Sequence, residues 1–578
     1  MKYIHVAEAN CKNCYKCLKV CPVKSIKYSN NHVEVLENSC VLCGRCIRNC
    51  PQKAKSLIHD ITAIKEWLRD RNVRVAAALA PSYLAAFGSE NRLRLVSALM
   101  ALGFDLVCEV SVGAHEVTKK YAEILESGSM DNMITTCCPS TVFLVQKYFP
   151  SLTKSLAPVL SPMEACAKLL KDEHGPEMKV VFLGPCISKI EEARTSDYTD
   201  GVMTFRQLAE WFAESGIKPA ETPETPFCGA PVGSAIYPVF EGILDDVRSV
   251  LPPDSTVPQR YTFLSVQGTK DLIELLQEMN AGRLHNCFVE ASACYGSCIN
   301  GPESGSGEYR PISLGVETRN FVKELVRGAE ESERSLDLSR AIEPAPLAED
   351  IPDEKTIRSI MAQIGKTLPE HELNCGSCGY RTCRDKAIAV YQNKAELYMC
   401  LPYMSQISET LANVTLSVSP DYIIAVDGTL TVRECNLAAQ KLFGHTRQQI
   451  VGRPLEDFMD PTDFAIAFAD EADQPMRKAQ YPERGVIVNQ TIIYIGDQNI
   501  AIGFMQDITK TERETESLNK LKTETMEMAQ KVINKQMTVA QEIASLIGET
   551  TAETKVTQTR LRDLIVYEGR ENDEKPLH

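Results

Sequence analysis

The spacing of the cysteines limits what this chain can fold into more than any other feature. Of 22 cysteines in 578 residues, an early group forms two copies of C-x2-C-x2-C-x3-C-P: Cys11, Cys14, Cys17 and Cys21-Pro22, then Cys40, Cys43, Cys46 and Cys50-Pro51. A later run, N-C-G-S-C-G-Y-R-T-C, is followed after a stretch free of Gly and Pro by C-L-P, giving Cys375, Cys378, Cys383 and Cys400. Thiolates in close sets suit iron or another soft metal. Zinc would favour paired C-x2-C knuckles; iron–sulfur clusters are therefore expected for the first two runs, and they fit the third better than zinc does. Thiols kept for metal imply a reducing compartment, the cytoplasm, in an oxygen-poor cell. A disulfide-stapled secreted protein is disfavoured by the length and by the opening Met1-Lys-Tyr-Ile-His-Val, which is no signal peptide.

Charge and length narrow the class further. The balance of 62 basic and 77 acidic residues, a net −15, argues against a nucleic-acid footprint. No apolar run is long enough to span a bilayer, so a soluble protein is expected. The length calls for several domains with sizeable cores.

Three more blocks place cysteines at the ends of apolar runs. T-T-C-C-P carries Cys137 and Cys138, and L-G-P-C-I-S-K-I-E-E carries Cys186. E-A-S-A-C-Y-G-S-C-I-N-G-P, from Glu290 to Pro302, carries Cys294 and Cys298 after the run Cys287, Phe288, Val289. Glycine lets this last block fold tightly round a bulky inorganic centre. Alone, its C-x3-C reads equally well as a small-residue turn with two inert thiols. In order and character, however, the three blocks resemble the signature blocks of the catalytic domain of iron-only ([FeFe]) hydrogenases.

The resemblance implies that Cys138, Cys186, Cys294 and Cys298 bind a [4Fe-4S] cube, with Cys298 bridging it to a diiron unit that carries CO, cyanide and a dithiolate amine; together these form the H-cluster. It implies that Cys137 passes protons to that amine, and that Lys189, paired with Glu192, hydrogen-bonds a cyanide. Ser82 and Ser161 would line the diiron pocket, although each serine alone reads as a helix cap or turn. The chain also departs from the pattern. Thr141 stands where the first block has Trp, Gly184 and Ser292 where methionines flank the site, and Met163 where a glutamine follows Ser-Pro. The glutamates of the usual proton relay fall near Tyr121 and Ile124 and its serine at Ala157, with Glu123 as a candidate substitute. Ligands kept and surroundings altered predict an intact centre with a changed potential or a slower proton supply. Cys108, Cys166, Cys228 and Cys287 have no partner spacing and read as small buried hydrophobes.

The expected architecture is multidomain, α/β and α+β. Residues 1–58 resemble bacterial two-cluster ferredoxins, in which the fourth cysteine of each run serves the other cluster. That implies one [4Fe-4S] cluster on Cys11, Cys14, Cys17 and Cys50, and a second on Cys40, Cys43, Cys46 and Cys21. Three closely spaced thiolates would grip one face of a cube while a distant fourth closes the domain. In 59–345, an amphipathic helix (Ile61, Ile64, Leu68), a strand at 73–79, a helix at 91–102 and strands at 104–110 and 178–183 alternate, indicating mainly parallel sheets with chemistry at strand ends. The resemblance adds two lobes with the metal site between them. A Pro- and acid-rich linker, Glu343 to Glu354, leads to 346–403, which resembles the small [4Fe-4S] domain of corrinoid iron–sulfur proteins; a helix over 384–399 would return Cys400 to the cluster.

Residues 404–509 resemble a PAS domain: a hairpin about Asp427-Gly428, strands at 486–495 and 500–505 about Gly496-Asp497, and a closing D-I-T. His445 reads as a surface residue of a turn and Cys435 as packing. From 510 to about 566, within a 510–578 helix and tail, Leu518, Leu521, Met528, Val532, Val539, Ile543 and Leu546 lie near heptad spacing, interrupted at Thr525 and Lys535. A parallel dimer seam is favoured over packing on the PAS sheet. The combined reading is a cytoplasmic hydrogenase of the sensory type, a ferredoxin-hydrogenase-type oxidoreductase that slowly interconverts H2 with protons and electrons. It would carry the H-cluster and three further [4Fe-4S] clusters, depend on maturation proteins, and exchange electrons with a ferredoxin-like carrier or signalling partner. A homodimer is expected, signalling through the PAS domain and terminal helix. A metabolic ferredoxin-linked hydrogenase and a non-enzymatic relative of iron–sulfur assembly factors stay open. Cys137, Lys189, Cys298 and the serines count against the latter.

Overall fold

Short strands close the cysteine-rich amino-terminal segment. β1 (Ile4–Val6), β2 (Ile26–Ser29), β3 (His32–Val35) and β4 (Lys55–Leu57) make two antiparallel pairs, β1 with β4 and β2 with β3. Between them the cysteine runs form short helices, Lys16–Val20 and Arg45–Arg48, each entered through a left-handed residue, Tyr15 and Gly44. The computed structural model describes all residues except 1–2, 31, 230–232, 306–309, 326–335, 349, 547–556, 558 and 563–578. The chain divides into two compact units, Met1–Met404 and Ser405–His578.

The next segment holds two parallel sheets. β5 (Val75–Leu79), β6 (Leu106–Glu109), β8 (Lys179–Gly184) and β9 (Gly201–Thr204) pair in the order β6-β5-β8-β9, all parallel. β5 reads V-A-A-A-L and is buried along its whole length, the continuous apolar run of a strand covered on both faces. The second sheet orders β10 (Thr262–Gln267), β11 (Cys287–Ser292) and β7 (Met133–Ile134), again parallel. Helices Ser111–Ser127 and Pro162–His174 meet at Gly113, where a Cβ would sit 2.4 Å from the Cys166 amide nitrogen. Only glycine permits that approach.

The small domain that follows departs from its expected single helix. The helix covers Cys383–Tyr391 only; the chain then turns through Asn393, at φ +54°, and forms a 3-10 turn at Leu397–Met399. The reason is tertiary. The Lys394 carbonyl accepts from the Tyr28 amide at 2.9 Å, and Glu396 Oε1 accepts from the Asn30 amide at 2.8 Å. Docking to the β2–β3 hairpin outweighs helix propensity there.

In the second unit, β12 (Tyr422–Asp427), β13 (Val432–Cys435), β14 (Gln474–Tyr481), β15 (Val486–Ile495) and β16 (Ile500–Asp507) form one antiparallel sheet in the order β13-β12-β16-β15-β14. Short helices at Leu437–Phe443, Arg447–Ile450 and Thr462–Asp470 accompany it, and Phe464 fills the space over Gly503. β14 escapes a sequence reading because its Q-P-M-R-K-A-Q-Y is mostly exposed. It is an edge strand with a proline and a register shift near its start, and an edge needs no apolar alternation. Cys435 is buried in this core and His445 is exposed after the Gly444 cap.

Helix Thr509–Leu546 follows. Its first turn is tied down by a Lys478–Glu512 pair at 2.7 Å, but Leu521 and Val532 are 60% and 55% exposed, so the seam is not packed on the sheet. The expected extension toward Val566 and the tail fall mostly outside the described residues. Among the described residues no helix is long and apolar enough to cross a membrane.

Candidate active site

Four parallel strands end at one cavity. β5 leads into Ala80-Pro81-Ser82, β8 into Pro185-Cys186, β7 into Cys137-Cys138, and β11 into Cys294 and Cys298. All five cysteines line one cavity, together with Ser82 and Lys189. Such a crevice beyond the carboxyl ends of parallel strands is where open α/β sheets bind ligands. The Cys294 loop turns through Gly296 and Ser297, both left-handed, and the Gly301 backbone comes so near Pro185 that a Cβ would lie 2.7 Å from the proline ring.

The thiols form a donor set. Cys138 is the N-cap of helix Pro139–Tyr148. Burial raises the pKa of Cys186, Cys294 and Cys298, and the mutual repulsion of these thiolates with Cys138 adds to it. Without a cation they stay protonated, and a bound metal would displace their protons. Cys298 is open only because it faces the cavity. Among the described residues no three His, Cys, Asp or Glu side chains converge as a single ion would require; in a cluster the thiolates hold different irons.

Ser82 and Ser161 both occupy N-cap positions, yet neither side chain caps its helix. Ser82 Oγ is buried without a partner and its residue borders the cavity, as a donor waiting for an acceptor would. Ser161 Oγ accepts from Lys189 Nζ at 2.9 Å and donates to Glu192 Oε2 at 3.2 Å. Lys189 and Glu192 pair at 2.6 Å, both buried. Burial alone would lower the ammonium's pKa, but the Glu192 carboxylate overrides it and raises it. Arg340 completes the group, 3.0 Å from Glu192 and 3.7 Å from Glu164. It arrives on a segment that folds back so that the Leu160 amide donates to Leu338 O at 2.8 Å. No local signal marks it.

The departures from the family pattern acquire causes. At Gly184 a Cβ would lie 2.5 Å from Phe182 Cε1 and 2.6 Å from Cζ. The Phe182 ring borders the cavity and takes the room a larger residue at 184 would need. Met163 and Ser292 also line the cavity, and Thr141 Oγ1 donates to Ala291 O at 3.4 Å. Glu123 does not replace the relay: it pairs with Lys120 at 2.7 Å on an exposed face. In its stead the Tyr121 hydroxyl lies 3.4 Å from Cys137 Sγ and accepts from the Thr136 amide at 3.0 Å. Tyr237, on the cavity wall, is 2.7 Å from Thr118 Oγ1, which donates to Asp246 Oδ2 at 2.5 Å. Burial pushes Cys137 up to about 12 and Tyr121 well above the phenol range.

Two of the four leftover cysteines lie closer to each other than their sequence spacing suggests: Cys166 Sγ is 3.8 Å from Cys108 Sγ. Cys228 Sγ stands 4.0 Å from His174 Nε2, and Cys287 Sγ donates to its neighbour's carbonyl, His285 O, at 3.4 Å. Glu290, buried behind the Cys294 loop, accepts from the Glu241, Ile243 and Leu244 amides and from Ser265 Oγ at 2.9 to 3.2 Å, yet burial pushes it up to about 7.

The other cysteine sets surround this site. Cys43 borders the cavity beside Cys294, and Arg48 Nη1 donates to Asn300 O at 2.5 Å. Cys21 is within electrostatic reach of Cys40, Cys43 and Cys46; burial and these neighbours hold Cys40 at about 11 and Cys43 at about 12. Cys17 feels Cys11; Cys14 is exposed and Cys50 half-buried. Cys375, Cys378, Cys383 and Cys400 line a separate cavity with buried Lys386, whose Nζ donates to Leu397 O at 2.7 Å.

Residues 73–302 match the iron only hydrogenase large subunit, C-terminal domain, and residues 407–508 match the PAS fold. Residues 73–302 are thus an iron-only hydrogenase large-subunit domain, and a PAS domain follows at 407–508. This hydrogenase relative also matches a 4Fe-4S dicluster domain at 3–66 and an Fe-S cluster family at 369–402, and is an iron–sulfur protein. It is 24% identical over 293 residues to iron hydrogenase 1 of Clostridium pasteurianum, covering 41% of this chain and 51% of that protein. It is 28% identical over 379 residues to the periplasmic [Fe] hydrogenase large subunit of Nitratidesulfovibrio vulgaris, covering 55% and 88%. The chain thus spans about half the length of the Clostridium relative. Among solved structures, a [FeFe]-hydrogenase from Chlamydomonas reinhardtii overlaps with 19% identity, 45% of this chain, 87% of that chain and a TM-score of 0.36.

Proposed function

We propose that this protein interconverts H2 with two protons and two electrons at the cavity between its parallel strands. The observation that carries the reading is the convergence of Cys137, Cys138, Cys186, Cys294 and Cys298 on one cavity that also holds Lys189 and the partnerless Ser82 hydroxyl. Cys138, Cys186, Cys294 and Cys298 would hold the H-cluster. When bound, that group supplies the centre at which the H–H bond breaks or forms and at which electrons are taken up. Lys189 would offer that group a buried cation, and Glu192 with Ser161 fixes the ammonium in place. Ser82 offers a further donor.

Cys137 Sγ takes or gives the proton at the cavity and Tyr121 Oη stands next to it. The Tyr237–Thr118–Asp246 chain carries the charge onward to a buried carboxylate. Proton carriers work best with a pKa near the working pH; burial holds the Cys137 thiol and the Tyr121 and Tyr237 phenols above it, so turnover is slow compared with relatives that carry glutamates. Cys43 borders the cavity, so a cluster held by its set would supply the electrons. Three [4Fe-4S] clusters beside the H-cluster, a cytoplasmic setting that keeps the thiols reduced, an electron carrier of ferredoxin type and maturation proteins complete the proposal. Slow chemistry coupled to a PAS domain suits an H2 or redox sensor, its exposed helical seam pairing with a second copy.

Anaerobic infrared spectroscopy of protein matured with the diiron cofactor, before and after H2, tests this. Sharp CO and cyanide bands that shift under H2 are expected. Iron at cluster stoichiometry without such bands would return the protein to the assembly-factor class.

A further inference from the structure

The 369–402 domain is not tethered at random to the amino-terminal module. It is keyed into it at the residues around Cys21. Gly379, at φ +92°, lies against Leu18 so closely that a Cβ would be 3.0 Å from the Leu18 side chain. Lys24 Nζ donates to Leu18 O at 2.9 Å on one side and to Gly379 O at 2.8 Å on the other. Tyr28 stands edge-on to Tyr398 at 6.0 Å, and its amide holds Lys394 O. Leu18, Tyr28, Tyr380, Ala389 and Met399 share one continuous core.

Two charged or polar groups at this joint face cysteines of both sets. The Lys24 ammonium interacts with Cys21 and with Cys378. The Tyr380 hydroxyl, buried and without a partner, is likewise within reach of Cys378 and Cys21. A donor orphaned between two thiolate sets fits neighbouring clusters, whose sulfur accepts hydrogen bonds. The amino-terminal module repeats the arrangement: Lys55, also buried, bonds Cys17 of one set and acts on Cys46 of the other. A lysine thus stands at two of the junctions between cysteine sets, and the remaining side of the Cys21–Cys40–Cys43–Cys46 set meets the catalytic cavity through Cys43.

We propose that the Cys375, Cys378, Cys383 and Cys400 cluster exchanges electrons directly with the Cys21, Cys40, Cys43 and Cys46 cluster, which is therefore a branch point, and that Lys24 is the positioning residue of that junction. The inference rests on the iron–sulfur reading of these sets. Each transfer moves one electron: the Cys21 set is oxidised by one and the Cys375 set reduced by one, with no proton or bond change, so the two electrons of one H2 need two passes. The Cys11 set is a parallel branch, not the path to the small domain. Lys24 holds the domains in register and, as a cation between them, favours the reduced, more negative form of both clusters.

The test uses the full chain with its iron–sulfur clusters reconstituted and no diiron cofactor, reduced in steps with dithionite and followed by electron paramagnetic resonance. Cys14→Ala and Cys43→Ala variants assign the two amino-terminal signals. In the fully reduced protein the Cys21-set signal is expected to show spin coupling that Cys378→Ala abolishes. Lys24→Met is expected to lower the midpoint potentials of the Cys21-set and Cys375-set signals and leave the Cys11 set unmoved, with Lys24→Arg restoring both. Coupling carried instead by the Cys11-set signal, or a Lys24→Met shift confined to one cluster, overturns the wiring. Iron missing from the Cys375 set overturns the cluster reading itself, and the wiring with it.

Discussion

Gly184 offers a direct test of why this cavity departs from its family pattern. Replacing it with alanine places a Cβ 2.5 and 2.6 Å from two atoms of the Phe182 ring, with Ala80 Cβ at 3.3 Å on another side. Carbon atoms prefer roughly 3.5–4.0 Å, so the ring has to retreat by about 1 Å. Ala80 blocks one escape, which leaves the cavity. Forcing an aromatic side chain off its rotamer costs about 0.5–1.5 kcal/mol, and overpacking a dense core about 1–3 kcal/mol. Gly184→Ala is therefore expected to destabilise by about 2 kcal/mol, a fall in apparent melting temperature of roughly 4–8 °C for a domain of this size at fixed scan rate. Phe182→Leu removes the obstacle. In Phe182→Leu/Gly184→Ala the two losses are then less than additive, by roughly 1–2 kcal/mol. Infrared band intensity after maturation checks the cavity itself: the single glycine variant takes up less cofactor and the double variant regains it. A Gly184→Ala protein that melts with the wild type, or additive losses in the pair, would refute the claim that the ring enforces the glycine.

Other expectations address protons, pH and assembly. Thr118→Val breaks the link from Tyr237 to Asp246, so H2 turnover should fall about a hundredfold, the lower end of the ~10²–10⁴ that a placed proton carrier contributes, while the infrared bands of the matured protein stay unchanged; undiminished turnover would exclude this route. Glu290 holds its proton up to about pH 7 when folded, against an ordinary 4.5. Its contribution is thus fully present below the lower value and lost as pH rises through the higher, by at most about 3 kcal/mol. Melting of the wild type from pH 5 to 8 should show that decline, and Glu290→Gln should flatten it. Val532→Glu, in the middle of the exposed seam, should convert a dimer to a monomer in sedimentation, whereas an unchanged mass would place the dimer contact elsewhere.

The local spacing of the cysteines marked three ligand-type runs, in which thiols sit a few residues apart, whereas the grouping of Cys138, Cys186, Cys294 and Cys298 was implied only by the family resemblance. The order of the domains and the parallel strands behind Cys186 and Cys294 followed from apolar runs and turn residues, which are equally local. Tertiary structure alone decided the rest. Cys21 does stand near Cys40, Cys43 and Cys46, as the ferredoxin resemblance implied, but the meeting of Cys137, Cys138, Cys186, Cys294 and Cys298 at one cavity needs two separate sheets. Phe182 excludes a side chain at 184 only because the ring folds back over it, and Arg340 reaches Glu192 only because a linker returns to the sheet. Tyr121, a gap in an expected relay, meets Thr136 and Cys137 across a turn of chain, and the unmarked Asp246 meets Thr118 from a helix far away in the chain. The helix predicted across 384–399 breaks for the same reason: its last residues bond a hairpin more than three hundred residues away, and no propensity within the segment records that partner.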